Sequence, residues 1–270
     1  MNILVIGAGN MGLAYAKALT KSKFLSDSKL MIYDTNSETT KELLKVTAFD
    51  VYANLKGCLP KADIVFIAVK PFHADELFKE LKSISRKDQV IVSLMAGVTI
   101  KSIQDGLGIN KVVRAMPNLP AQVGKGLTSF TTSSEVSGLE RSTVQQLLNT
   151  TGKSVHLDTE NDIDASTGIS GSGPAYVFYF MQSMMEAAQK MGFSDHDSKV
   201  LVGQTFEGAI ALFNQSDLTP ATWMNKVASK GGTTRAALDS MDNNNIKDLI
   251  KEAAYAAFHR AVELGKDENT

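Results

Sequence analysis

The stretch that decides the fold stands at the start, residues 1–20, MNILVIGAGNMGLAYAKALT. Ile3 to Gly7 (ILVIG) is a β-branched apolar run that reads as a strand covered on both faces, and MGLAYAKALTKS after it carries helical periodicity. Between them Gly7-Ala8-Gly9-Asn10-Met11-Gly12 forms a G-x-G-x-x-G turn from strand to helix. The first glycine permits the tight turn, the second lets the backbone approach a pyrophosphate, and the third lets helix and strand pack closely. The helix start then offers unsatisfied N–H groups to the anion. Elsewhere such a turn could be structural only; here it predicts a dinucleotide site. The second strand should end in an acid that holds the adenosine ribose, and Asp34 in MIYDTNS, followed by Thr35, takes that place. A carboxylate there accepts from both ribose hydroxyls of NADH and repels the 2′-phosphate of NADPH. No Arg or Lys follows until Lys41. The alternative for Asp34 is a cap on the helix beginning near Glu38, a duty that Asn36 or Ser37 could perform equally well.

Outward from this unit, KLMIY (29–33), IVFIAV (64–69), VIVSL (90–94) and VVRAM (112–116) repeat the buried-strand signature, with helical patterns such as ADELFKELKSI between them. That alternation predicts an α/β fold, a Rossmann-like doubly wound parallel sheet. After GLTSFT (126–131), a helix near 136–149 and KSVHL (153–157), strand signals stop and every later stretch reads as helix. The expected division is a dinucleotide-binding domain over 1–160 and an all-helical domain for substrate binding and dimerisation over 161–270.

Bulk properties narrow the function. With 43% hydrophobic positions in 270 residues, the chain can bury a substantial core. Lys and Arg number 28 against 29 acids, with no run of five like charges, which argues against a nucleic-acid partner. Cys58 is the only cysteine, and His73, His156, His196 and His259 are scattered without ligand spacing, so no metal is expected. Residues 165–185 carry no charge, but their first half, ASTGISGSG, is small and polar, short of the roughly 20 apolar residues a membrane span needs. The N-terminus opens on a strand without a basic leader, and the expectation is a cytoplasmic protein.

GAGNMG (7–12), AVKP (68–71), SLMAGVTI (93–100), RAMPNLP (114–120), GISGSGPAYVF (168–178) and SKGGTT (229–234) together resemble the ordered motifs of pyrroline-5-carboxylate reductases. The resemblance covers nearly the whole chain. It implies hydride transfer from NADPH or NADH to the cyclic imine 1-pyrroline-5-carboxylate, giving L-proline, with no metal and no covalent nucleophile. By it, Ala68, Val69, Lys70 and Pro71 line the cofactor cleft, and Ala96, Gly97, Met116, Pro117 and Asn118 approach it. Leu119 departs from the family's usual MPNTP. Thr234 is the implied donor to the imine nitrogen, hence the catalytic candidate, with Ser229, Gly231, Gly232, Thr233 and Thr234 around the substrate.

The glycine pair suits that assignment physically. Gly231 and Gly232 lack Cβ atoms, so successive N–H groups can converge on a carboxylate. Thr233 and Thr234 supply two hydroxyls at a helix start, where one suffices as a cap; Thr233 is expected to be that cap. The family's loop has proline where this chain has Lys230. Ser170-Gly171-Ser172-Gly173-Pro174 reads as a break and a fresh helix, with Pro174 in its first turn. Two other functions stay open. A 3-hydroxyacid dehydrogenase-like enzyme would want a lysine about one helical turn after these glycines, where Pro174-Ala175-Tyr176-Val177 stands instead. A non-catalytic NAD(P)H-sensing protein would not need the GGTT stretch. The apolar faces of PAYVFYFMQSMM, GAIALF and AAYAAFHRAV predict at least a homodimer, and the family resemblance implies interleaved helices and dimers that gather into a decamer.

Overall fold

The structure is a computed structural model that describes residues 1–25 and 30–267. Lys29, the expected first residue of the second strand, and residues 268–270 of the expected helical domain lie outside the described residues.

Strands β1 (Ile3–Ile6), β2 (Leu30–Tyr33) and β3 (Phe49–Val51) alternate with helices α1 (Asn10–Thr20), α2 (Ser37–Leu43) and α3 (Leu55–Cys58). They are followed by β4 (Ile64–Ile67), α4 (Ala74–Lys82), β5 (Val90–Ser93), α5 (Ile100–Leu107), β6 (Val112–Met116), β7 (Gly126–Thr132), α6 (Gly138–Leu148) and β8 (Gly152–His156). Next come α7 (Glu160–Ser166), a π-helical turn (Thr167–Gly171), α8 (Gly173–Lys190), α9 (Asp195–Asn214), α10 (Pro220–Val227), α11 (Thr233–Asn243) and α12 (Ile246–Asp267).

The eight strands form one sheet in the order β3-β2-β1-β4-β5-β6-β7-β8. Its first six strands are parallel and follow the doubly wound order. β7 pairs antiparallel with β6, and β8 is parallel to β7, so the sheet is mixed at that edge. The short 3₁₀ segment Leu119–Val123 between β6 and β7 leaves no room for the crossover a parallel pairing needs. The wholly parallel expectation therefore holds only up to β6.

Alternation along β1 sends side chains to two cores. Ile3 and Val5 pack with Tyr15 and Leu19 of α1 and with Val144, Leu147 and Leu148 of α6. Leu4 and Ile6 pack with Phe78 and Leu81 of α4 and with Ile103 and Leu107 of α5. This two-sided burial makes the strands continuously apolar. One polar pair lies inside the first core, where Tyr15 Oη and Thr128 Oγ1 share a 2.7 Å hydrogen bond.

Contacts divide the chain into two compact units, Gly173–Tyr255 and the remainder, Met1–Ser172 with the chain from Ala256 onward. The expected boundary at 160 falls inside the first unit. The reason is α7, whose acidic side chains are tied to buried Arg114 of β6. The second unit is wholly helical, as every segment after 162 predicted. No helix among the described residues is long and apolar enough to cross a membrane.

Candidate active site

In the first unit, the glycine turn lies where the strand order reverses, between β1 and β4. The Gly7 N–H reaches the Tyr33 carbonyl at 2.8 Å and the Ala68 N–H reaches the Ile6 carbonyl at 2.8 Å, so the turn closes the ends of three strands. Gly7 has φ 92, in the left-handed region. A Cβ on Gly12 would collide with the Gly7 carbonyl oxygen, whereas one on Gly9 would meet nothing. Gly7 and Gly12 thus build the turn, and exposed Gly9 leaves open ground for a ligand. Asn10 and Met11 begin α1, whose N-cap, Gly9, provides no side-chain oxygen to its N–H groups.

Asp34 does not cap the next helix; Asn36 does, accepting from the N–H groups of Glu38 and Thr39, both at 2.9 Å. The Asp34 carboxylate instead accepts from the Ala8 N–H at 2.6 Å and from the Asn36 N–H at 2.7 Å. It is fastened to the glycine turn itself. Beside it is a cavity of about 360 Å³, lined by Ile6, Gly7, Tyr33, Asp34, Thr35, Val69, His73, Glu76, Leu77 and Glu80. Burial raises the Tyr33 phenol above its ordinary value, and the negative charges of Glu80 and Asp34 push it further the same way. The residues of α4 on this wall, Glu76, Leu77 and Glu80, were not among the sequence-based candidates. Their signal is the i, i+4 spacing of Glu76 and Glu80, which places both on one face of the helix.

Farther along the strand ends, Ala68 and Val69 are half-buried and Lys70 is exposed, preceding a 3₁₀ turn opened by Pro71. Asn118 is a brace: its side-chain NH₂ donates to the Ser170 carbonyl at 3.0 Å and its oxygen accepts from the Leu127 N–H at 2.8 Å. Ser170 belongs to the π-helical turn, a geometry uncommon outside functional or strained places. The expected break in GISGSGP falls at Ser172, with Pro174 in the first turn of α8. Arg114, only 4% exposed, reaches Glu160 Oε1 at 3.0 Å and Asp164 Oδ1 at 2.5 Å, while Glu160 Oε1 also accepts from the Ile100 N–H at 2.9 Å. Burial dominates at Asp164 and raises its carboxyl above the usual value, against the opposing pull of Arg114. Ala96, Gly97, Asp164, Thr167 and Ser172 line a second cavity of about 250 Å³ with residues of α12.

In the second unit, Ser229 to Gly232 make a four-residue turn closed by the Gly232 N–H on the Ser229 carbonyl at 3.1 Å. Gly231, at φ 72, occupies the third place, where a side chain would be strained. Lys230 occupies the second, where proline would preset φ and where any residue can follow. The N-cap of α11 is Gly232, with no side-chain cap, so Thr233 is the first helical residue and not the expected cap. The extended Gly232 precedes the helix, and its carbonyl accepts the first helical bond from Ala236 at 3.2 Å. Neither threonine hydroxyl is engaged among the described residues. Thr233 is exposed, whereas half-buried Thr234 lines a cavity of about 300 Å³ with Ala209, Leu212, Trp223, Met224, Val227 and Leu238. Trp223 lies under the Lys226 ammonium, 5.2 Å from the ring centre, and its indole N–H is shielded from solvent.

Residues 160–264 match the family model described as pyrroline-5-carboxylate reductase dimerisation, and residues 2–97 match that described as NADP oxidoreductase coenzyme F420-dependent. The pyrroline-5-carboxylate reductase of Pseudomonas aeruginosa is 34% identical, over 98% of this chain and 97% of its own. Pyrroline-5-carboxylate reductase 2 of Bacillus subtilis is 32% identical, over 96% of this chain and 93% of its own. Among solved structures, a pyrroline-5-carboxylate reductase from Coxiella burnetii aligns with TM-score 0.90 at 29% identity, covering 97% of this chain and 98% of that one. The Plasmodium falciparum pyrroline carboxylate reductase, solved with NADP bound, aligns with TM-score 0.87 at 28% identity over 98% of each chain.

Proposed function

Because the chain belongs to the pyrroline-5-carboxylate reductase family, we propose that it reduces the cyclic imine 1-pyrroline-5-carboxylate to L-proline, the last step of proline biosynthesis. It is an oxidoreductase of the CH–NH group that uses NAD(P)H. The cofactor fits the first unit: the Gly7–Gly12 turn is open over Gly9, the first N–H groups of α1 lack a side-chain cap, and Asp34 with Thr35 edges the adjoining cavity. In our reading Gly7, Ala8, Gly9, Asn10, Met11 and Gly12 receive the pyrophosphate, Asp34 and Thr35 the adenosine ribose. Ala68, Val69, Lys70, Pro71 and Ala96 line the path toward the reacting ring. Asn118 acts there through the backbone it braces. When bound, the reduced nicotinamide supplies the hydride for the imine carbon.

The observation that carries the reading to particular residues is the uncapped start of α11. Its free N–H groups, with that of Gly231, form the positive end of a helix of eleven residues and suit a substrate carboxylate. Ser229 shapes the turn that presents them. Thr234 keeps its hydroxyl unengaged in an apolar cavity, where it donates to the imine nitrogen and steadies charge as the carbon accepts hydride. The nitrogen of the neutral imine is more basic than a ketone oxygen, so a neutral hydroxyl that donates to its lone pair is sufficient where a ketone would ask for a stronger acid; the proton that completes the amine comes from solvent. Gly173–Tyr255 leaves Phe178, Tyr179, Ile210, Leu249 and Tyr255 exposed; we assign that apolar surface to a homodimer, with assembly toward a decamer, in the cytoplasm.

The test is direct. Purified protein given the cyclic imine should oxidise NADH or NADPH stoichiometrically with proline formed, and should reduce NAD⁺ or NADP⁺ with proline at high pH. Nucleotide binding without turnover in either direction would leave a cofactor-sensing protein instead.

A further inference from the structure

The wall that α4 contributes to the cavity beside Asp34 has a chemistry of its own. Helix α4 runs from Ala74 to Lys82, and Glu76 and Glu80, one turn apart, face the same space as Asp34 and Thr35. Three carboxylates therefore surround the position where the adenosine ribose is placed. Among the described lining residues no Lys or Arg answers them, and His73 is the single group there able to carry positive charge. Neither glutamate has an ion-pair partner among the described residues, so neither charge is locally neutralised.

We propose that Glu76 and Glu80 are specificity-determining residues that keep a phosphate off the adenosine ribose and so turn this reductase toward NADH. The proposal rests on the assignment of this cavity to the adenosine half of the cofactor. A 2′-phosphate is close to a dianion at neutral pH, and each exposed carboxylate facing it adds repulsion that salt screens. The unphosphorylated ribose presents only neutral hydroxyls, which carboxylates accept from readily. Asp34 acts at the ribose itself; the two glutamates act from α4, through the field. Tyr33 lines the same cavity, and its phenol is raised first by burial and then by the negative charge of Glu80.

The experiment compares two nucleotide fragments without turnover. ADP-ribose and 2′-phospho-ADP-ribose are titrated calorimetrically into the full chain and into the double variant Glu76→Gln, Glu80→Gln, with Asp34 intact. Both glutamates are exposed on the helix surface, so the fold should tolerate the change. Wild type should bind ADP-ribose the more tightly. In the variant the ratio of dissociation constants should move toward the phosphorylated fragment by roughly three- to tenfold at low salt, and by less at high salt. A ratio unchanged between wild type and variant, or a wild type that prefers the phosphorylated fragment, would overturn the proposal. Failure of both fragments to bind wild type would instead remove the cavity's assignment, and the proposal with it.

Discussion

Thr234 and Thr233 are adjacent in sequence, yet their surroundings separate them, since one lines an apolar cavity and the other is exposed. Thr234→Ala should lower kcat by roughly 5- to 150-fold, the worth of one hydrogen bond made as charge moves, with little change in cofactor KM. Thr234→Ser should keep most of the rate. Thr233→Ala should alter neither rate nor melting temperature appreciably, because Gly232, not Thr233, stands at the cap. Equal losses at both threonines in steady-state kinetics would reassign the donor. Asp34→Ser should lower the KM for NADPH and raise that for NADH, measured by initial rates, since the carboxylate that would meet a 2′-phosphate is gone. Cys58 makes a third case: burial pushes its thiol from 9.0 up to about 11. Folded protein thus holds that proton where the unfolded chain has released it, so stability should fall as pH rises from 9 toward 11. Urea midpoints across that range should slope less steeply in Cys58→Ala.

Arg114 shows how one side chain joins elements. From β6 it pairs with Glu160 and Asp164 of α7, and Glu160 also holds the first N–H of α5. Removing the cation leaves two carboxylates partly buried and unpaired, and Arg114→Met should cost about 3–5 kcal/mol in chemical denaturation. Asp164→Asn, which relieves a carboxyl already burdened by burial, should cost less. None of this was legible in VVRAM, which reads as one buried strand; the sequence does not say which distant acids will come to meet Arg114. The strands themselves were legible because a sheet covered on both faces demands unbroken apolar runs. β3 escaped because Phe49–Val51 is three residues with an aspartate at its centre. The helical stretches after 162 were recovered as α8 to α12, and the glycine turn was readable because strand and helix flank it. The turn at Gly231 was anticipated as a glycine position, but the cap was placed one residue late, since threonine and glycine rank alike as caps and a Cβ at Gly232 would meet Ser229 Oγ inside the turn.

For the molecule as a whole, the apolar surface of Gly173–Tyr255 predicts association. Light scattering at micromolar concentration should give a mass of at least two chains, and a monomer would refute the dimer. Phe178→Asp, which puts a charge on that surface, should shift the mass downward and lower the melting temperature at a given protein concentration. Trp223 has a use that extends this to solution work on the site. It is the chain's only tryptophan, and it shares its cavity with Thr234. Excitation selective for indole therefore interrogates one place in 270 residues, with no label and no background from a second emitter. Shielding of its ring nitrogen should give blue-shifted emission, and the ammonium above the ring a shortened lifetime. Anything that enters the cavity should change both, so the protein carries its own optical gauge of occupancy beside the threonine on which the chemistry is proposed to turn.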